Sequence, residues 1–364
     1  MPIEIESPEE QGYSTIKNNL SESSVSDLKL SDLGLDLQEL LLSYPAHRGL
    51  PELRERIAAE GAGLKPEDVL VTAGAAGSLF LIAATLLKPG DRIVVAKPNY
   101  STNLETPRAL EANVVELPLI FEQRYHVGLE EIDKRLTSGT RILSLTVPHN
   151  PTGTMMSLDE LKDIIRLVES RGALLIFDET YREMAFSQPL PPLATLSDRV
   201  ISVSSLSKAY GLPGIRIGWL LCRDPKMMEL FLAAKEQVSI CTSIVDEQLA
   251  LRCLQEKEEI LGRARNHTLK NFSALRSWIA KQNYLEWVEP AGGAVCFPRF
   301  RQNAGINIDR FYGVLLGEMH TAVGPGHWFD EDRHHFRVGF GYPPEDEFLR
   351  GLQSIEQAVA AART

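Results

Sequence analysis

Residues 200–219 read VISVSSLSKAYGLPGIRIGW. Two runs of β-type apolar residues, 200–203 and 215–221, enclose serines, glycines and one lysine, Lys208. The pattern predicts two buried strands joined by a tight loop that carries the lysine. Burial disfavours an ammonium, so the pKa of such a lysine falls below its ordinary value of about 10.4. A neutral amine attacks carbonyls and forms Schiff bases. Ser205, Ser207 and Arg216 are residue types that hold a phosphate beside it. A lysine in a glycine-containing loop is also an ordinary surface residue, so the rest of the chain has to decide.

Outward from that loop the chain alternates regularly. Strands are expected over 69–72, 92–96, 114–118, 141–147, 173–177, 200–204 and 215–221. Helices are expected between them over 75–87, 102–110, 129–136 and 158–170, the last opened by Ser157. Strands apolar on both faces and alternating with helices predict an α/β fold with a mostly parallel central sheet flanked by helices. After residue 224 one long helix is expected to run past Leu249, and a second to cover 256–281. Short strands near 286–298 and 336–340, with helices over 309–318 and 344–361, read as a smaller α/β domain. The polar, serine-rich start carries one short expected helix over 37–43. The resulting division is an N-terminal arm over 1–43 (packing with the small domain or a partner subunit), a large domain over 44–250 and a small C-terminal domain over 251–364. There is no internal repeat or low-complexity linker.

A chain of 364 residues is too long for one small core. Its net charge of −11 argues against a nucleic-acid partner, because phosphate backbones need a basic surface. Cys222, Cys241, Cys253 and Cys296 show neither disulfide nor metal spacing, and read as reduced thiols. The acidic opening residues do not resemble a secretory leader, and no apolar run has the length of a membrane span. The expectation is a cytoplasmic protein without a membrane partner.

Ligands of parallel α/β sheets sit beyond the carboxyl ends of the strands, and several polar clusters fall there. Gly74, Ala75 and Ala76 lie where a strand turns into a helix, whose free N–H groups attract anions. Tyr100 follows the next strand in Pro98-Asn99-Tyr100. Asn150 opens the turn Asn150-Pro151-Thr152-Gly153. Asp178 ends an apolar strand, a costly position for a carboxylate without a partner, and Tyr181 follows it by three. Arg337 sits in a short apolar strand, which is unusual without an anion to meet. Each cluster taken alone has a plain structural use as a turn, a cap or a core contact. His327, His334 and His335, near Asp330, Glu331 and Asp332, suggest a metal cluster. Their spacing matches no ligand pattern, and a solvated mixed-charge loop is the better reading.

Taken together, S-x-S-K with an arginine eight residues on, the glycine turn, P-x-Y, N-P-T-G, D-x-x-Y and the arginine strand resemble the fold-type I pyridoxal-phosphate (PLP) enzymes, class I/II aminotransferases, over roughly residues 44–340. The resemblance implies that Lys208 carries PLP as a Schiff base and then moves a proton. It implies Asp178 against the pyridine nitrogen, Asn150 and Tyr181 on the phenolic oxygen, and Tyr100 stacked on the ring. Gly74, Ala75, Ala76, Ser205, Ser207 and Arg216 would surround the phosphate, and Arg337 would clamp the substrate's carboxylate. Tyr44, five residues before Gly49, would reach across a homodimer interface to the neighbouring site. Ala75 and Ala76 depart from the pattern, where relatives often carry a hydroxyl or an amide, so a side-chain contact is lost. The implied function is transfer of an amino group between an amino acid and a 2-oxo acid. The alternatives are a PLP-dependent lyase, cyclase or oxidase acting on an amino acid in specialised metabolism, or a PLP-binding regulator. The last would need a DNA-binding domain, for which there is no room before Tyr44. No second arginine marks a dicarboxylic substrate; His47, Arg48, His327 and Trp328 are candidate lining residues.

Overall fold

The computed structural model describes residues 6–363; residues 1–5, the acidic opening of the expected arm, lie outside the described residues. The first strand, β1 (Asn18–Leu20), belongs to a small sheet described below. Seven strands build the central sheet. They are β2 (Val69–Ala73), β3 (Arg92–Lys97), β4 (Asn113–Pro118), β5 (Thr140–Thr146), β6 (Leu174–Asp178), β7 (Val200–Ser205) and β8 (Ile217–Leu221). Their order is β2-β8-β7-β6-β5-β3-β4. The pairs β3/β4, β3/β5, β5/β6 and β6/β7 are parallel, and β8 lies antiparallel between β2 and β7. The register sets Thr146 beside Asp178, and Ser205 beside Gly218. Several strands therefore deliver polar residues to one edge.

Alternation along each strand explains why both faces are covered. Ile176, Ile201, Val203 and Leu220 pack with Leu79, Ile82 and Phe231 on one face. Leu143, Leu145, Leu175 and Phe177 pack with Leu161, Ile164, Ile165 and Val168 on the other. Each such side chain contributes about 1.5–3 kcal/mol on burial, which makes the two-faced sheet the favoured state. The helix Leu158–Ser170 starts where expected: Ser157 Oγ accepts from the Glu160 N–H, and the Glu160 carboxylate accepts from the Ser157 N–H at 2.7 Å.

The remaining strands are short: β9 (Leu285–Glu286), β10 (Val295–Cys296), β11 (Arg299–Phe300), β12 (Thr321–Pro325) and β13 (Phe336–Gly339). One four-stranded sheet runs β1-β12-β13-β10, over a core that includes Leu20, Phe311, Phe336, Phe340 and Phe348. The strand β1 is absent from the sequence reading, because Asn18-Asn19-Leu20 has no β-type composition. It forms by pairing in parallel with β12.

Three expected elements differ. The helix over 37–43 is not formed: Leu41 and Leu42 are 78% and 75% exposed, so no apolar stripe is buried to hold one, and a 3₁₀ turn forms earlier at Leu30–Leu33. The long helix after residue 224 is two helices, Pro225–Val238 and Ile244–Gln255. Ile240 between them has φ +57°, and Ser243 caps the second helix through the Asp246 N–H. The strand expected from 215 starts at Ile217, because Pro213–Ile215 is a 3₁₀ turn that leaves Arg216 left-handed at φ +51°. Among the described residues, no helix is long and apolar enough to cross a membrane.

Candidate active site

The lysine loop leaves β7 at Ser205. The Ser205 hydroxyl accepts the Ser207 N–H at 3.3 Å, and the Leu206 N–H returns to Ile217 O at 3.1 Å. Gly211 has φ +65° and presses on the arm: a Cβ there would lie 2.4 Å from Ser26 O. The arm answers with two bonds, from the Val25 N–H to Lys208 O at 3.1 Å and from the Leu28 N–H to Gly211 O at 2.8 Å. The loop is thereby held on both sides. Lys208 is half-buried. Its amine is nevertheless crowded, and loss of solvent lowers its pKa; Glu22 and Glu9 oppose the shift, while Arg337 and Arg216 add to it.

The glycine turn meets that loop. Gly74 opens the helix Gly74–Leu86 with φ +70°, and a Cβ on it would come within 2.6 Å of Arg216 Nη2. Gly218 is equally constrained, since its Cβ would lie 2.6 Å from the Ala75 nitrogen. Thr72 Oγ1 fixes the turn by donating to Gly74 O at 2.9 Å. Arg216 Nη1 donates to Ser207 Oγ at 3.4 Å and to Pro213 O at 2.9 Å. Helix N–H groups, two hydroxyls and a guanidinium therefore share one corner, with Ala76 one residue further into the helix. That corner suits a phosphate.

A second corner holds Asp178, Tyr181, Asn150 and Arg337. Asp178 is buried at the end of β6 and accepts from the Thr180 N–H at 3.1 Å and Thr180 Oγ1 at 2.6 Å. Burial raises its pKa; bonds from Thr180 and Asn103 and the charge of Lys208 pull it back. Tyr181 is buried, and among the described residues its hydroxyl meets no partner in hydrogen-bond geometry. Ser23 is the polar group beside that hydroxyl, and burial raises its pKa well above the ordinary tyrosine value. Arg337 Nη1 donates to Asn150 Oδ1 at 3.0 Å, Nη2 donates to Ser21 O at 2.6 Å, and the guanidinium stands 4.8 Å over the Phe329 ring. The Tyr100 N–H donates to Asn99 Oδ1 at 2.8 Å, at the start of the helix Ser101–Ala109. Tyr44 is not gathered in with these residues: it is 80% exposed.

These residues fit PLP. Asp178 offers a carboxylate for a protonated ring nitrogen, the unsatisfied Tyr181 hydroxyl offers a donor, and the Gly74 turn is a cradle that a Cβ would fill. The histidine group is dispersed instead. His327 Nε2 bonds Glu6 at 2.6 Å, His334 Nδ1 bonds Asp332 at 2.5 Å, and His335 stacks on Phe297 with centroids 5.4 Å apart. Among the described residues, no group of three or more His, Cys, Asp or Glu is placed to hold a metal ion.

Sequence reasoning missed several supporting residues. Thr180 and Asn103 sustain the Asp178 charge, and Asn99, fully buried, accepts from Asn103 Nδ2 and Thr146 Oγ1 at 3.3 Å each. Glu179 is buried beside Asp178, accepts from the Leu193 N–H at 2.8 Å and Ser202 Oγ at 2.5 Å, and is pushed up by burial to about 7. The Asp-x-Thr spacing is a recognisable turn signal. Ser21, Glu22 and Ser23 gave none, since only the folded arm brings them to the cleft.

Comparison with known proteins gives a consistent picture. A family model described as aminotransferase class I and II matches residues 17–355. The chain is 29% identical to a capreomycidine synthase of Streptomyces vinaceus, over 95% of this chain and 91% of that one. It is 34% identical to an arginine–pyruvate transaminase of Pseudomonas aeruginosa, over 85% of this chain and 81% of that one. A solved PLP-dependent aminotransferase from Streptococcus suis superposes with a TM-score of 0.90 at 27% identity, covering 97% of this chain and 96% of that one.

Proposed function

The chain belongs to the class I and II aminotransferase family, and from that membership we propose how its residues divide the work. It is a PLP-dependent enzyme that moves an amino group between an amino acid and a 2-oxo acid. Bound PLP supplies a protonated aromatic ring that draws off negative charge developing at the substrate's α-carbon. Lys208 Nζ would hold the cofactor and would be the base that takes the proton from that α-carbon. Its lowered pKa keeps more of the amine neutral and ready to act as a base. Asp178, whose pKa burial raises while Thr180, Asn103 and Lys208 pull it back, would face the ring nitrogen. Tyr181 and Asn150 would donate to the phenolic oxygen, and Asn150 Oδ1 accepts from Arg337, leaving its amino group as the donor. Gly74, Ala75, Ala76, Ser205, Ser207 and Arg216 would hold the phosphate, and Tyr100 would lie against the ring. Arg337 binds the substrate carboxylate with its fork of donors.

The observation that carries this reading is the convergence of Lys208, Asp178 and Arg337 on one cleft, close enough for each amine or acid to feel its neighbours' charge. The test is formation of a 2-oxo acid from an amino acid by the PLP-loaded enzyme. We also propose a cytoplasmic homodimer and the division into an arm over 1–43 and domains over 44–250 and 251–364. The exposure of Leu41, Leu42 and Tyr44 supports the dimer, because a partner covering them would carry Tyr44 to the neighbouring phosphate corner. A sedimentation mass of one chain would count against it. The relative named capreomycidine synthase supports a second reading, cyclisation at the same site; a cyclic product in place of a 2-oxo acid would favour it.

A further inference from the structure

One wall of the cleft is the arm between Ser21 and Leu28. Ser21 O accepts from Arg337 Nη2 at 2.6 Å, and the Val25 N–H donates to Lys208 O at 3.1 Å. Between them the Glu22 carbonyl lies so close to β13 that a Cβ on Gly339 would stand 1.8 Å from it. Glu22 is thus strung between the residue that binds an amino acid's carboxylate and the residue that handles its amino group. Its side chain is part-buried and accepts from Tyr13 Oη at 3.1 Å. Among the described residues, it makes no ion pair. Arg337 donates to the neutral oxygens of Asn150 and Ser21. Glu9 and Asp27 stand on the same side, and both act on Lys208, though less strongly than Glu22 in the case of Glu9.

We propose that Glu22 determines specificity: backed by Tyr13 and flanked by Glu9 and Asp27, it receives a cation carried at the end of the substrate's side chain. The inference rests on the aminotransferase reading and adds its substrate class, a guanidinium- or ammonium-bearing amino acid. Tyr13 donates to one carboxylate oxygen and leaves the other with acceptor capacity. A substrate with an acidic side chain would set like charges together, an apolar one would gain nothing from the carboxylate, and a cation would be attracted, so the same residue favours one class and repels another.

The test uses the PLP-loaded enzyme and four amino donors: arginine, lysine, alanine and aspartate. Release of the corresponding 2-oxo acid gives kcat/KM for each. Arginine or lysine should exceed alanine and aspartate at least about tenfold, and the better of the two tells guanidinium from ammonium. Glu22→Gln should shrink the preference for that cation over alanine by about tenfold to a hundredfold. Glu22→Asp should retain part of the preference, and the visible absorbance of bound PLP reports that both variants are folded. A wild-type preference for aspartate or alanine, or an unchanged preference in E22Q, overturns the proposal and leaves the aminotransferase reading intact. No 2-oxo acid from any of the four overturns both.

Discussion

Arg337 on the small sheet and Asn150 in a turn beside the large one meet at 3.0 Å, Nη1 to Oδ1. Arg337 comes from β13 of the small sheet, and Asn150 from the turn after β5 of the large one. The contact aligns the group proposed for the substrate's carboxylate with the amide proposed for the cofactor. Replacing Arg337 by lysine removes the fork but keeps the charge. R337K should raise KM for amino donors about tenfold to a hundredfold, with a smaller fall in kcat. Steady-state kinetics with a single donor checks it, and an unchanged KM would remove Arg337 from the carboxylate site.

Glu179 gives a pH prediction with a definite sign. Its carboxyl sits at about 7 in the fold against 4.5 when unfolded. The folded protein therefore binds the proton more tightly, and this contribution is fully present below about 4.5 and is lost as pH rises through about 7. The loss is on the order of 3 kcal/mol. Glu179→Gln, which keeps an acceptor for the Leu193 N–H, should flatten the dependence of unfolding free energy on pH between 5 and 8 relative to wild type. Denaturant unfolding across that range is the measurement, and parallel curves would refute the assignment.

Gly74 tests the phosphate corner. Alanine there would be strained at φ +70° and would press its Cβ to 2.6 Å from Arg216 Nη2. G74A should weaken PLP binding about tenfold to a hundredfold. Titration of the apoenzyme with PLP reads this directly, and wild-type affinity would mean that the phosphate lies elsewhere.

The large sheet was readable from the sequence because its strands are apolar on both faces and bounded by glycine, proline or polar residues. The same punctuation exposed Asp178, Asn150 and Lys208, since a polar group at the end of an apolar run stands out. What escaped was non-local. The strand β1 forms only because β12 is there to pair with it. The helix expected over 37–43 failed because local propensity had no core to bury Leu41 and Leu42 against. The break between Val238 and Ile244 depends on a left-handed isoleucine, a conformation with no sequence signature. Glu22 and Ser23 reach the cleft through the arm's path across Gly339 and Lys208, which no spacing within residues 18–28 announces.

Lys208 is where these strands of argument meet, and one spectrum tests its role. Wild-type enzyme loaded with PLP should show the visible absorbance of a lysine-bound cofactor, and adding a good amino donor should convert the spectrum while a 2-oxo acid appears. Lys208→Ala should lose the lysine-bound band and slow 2-oxo acid formation by at least about a thousandfold, while equilibrium dialysis still finds PLP held by the phosphate corner. An alanine variant that kept the band and turned over donors at the wild-type rate would contradict the assignment of Lys208, and with it the site built around it.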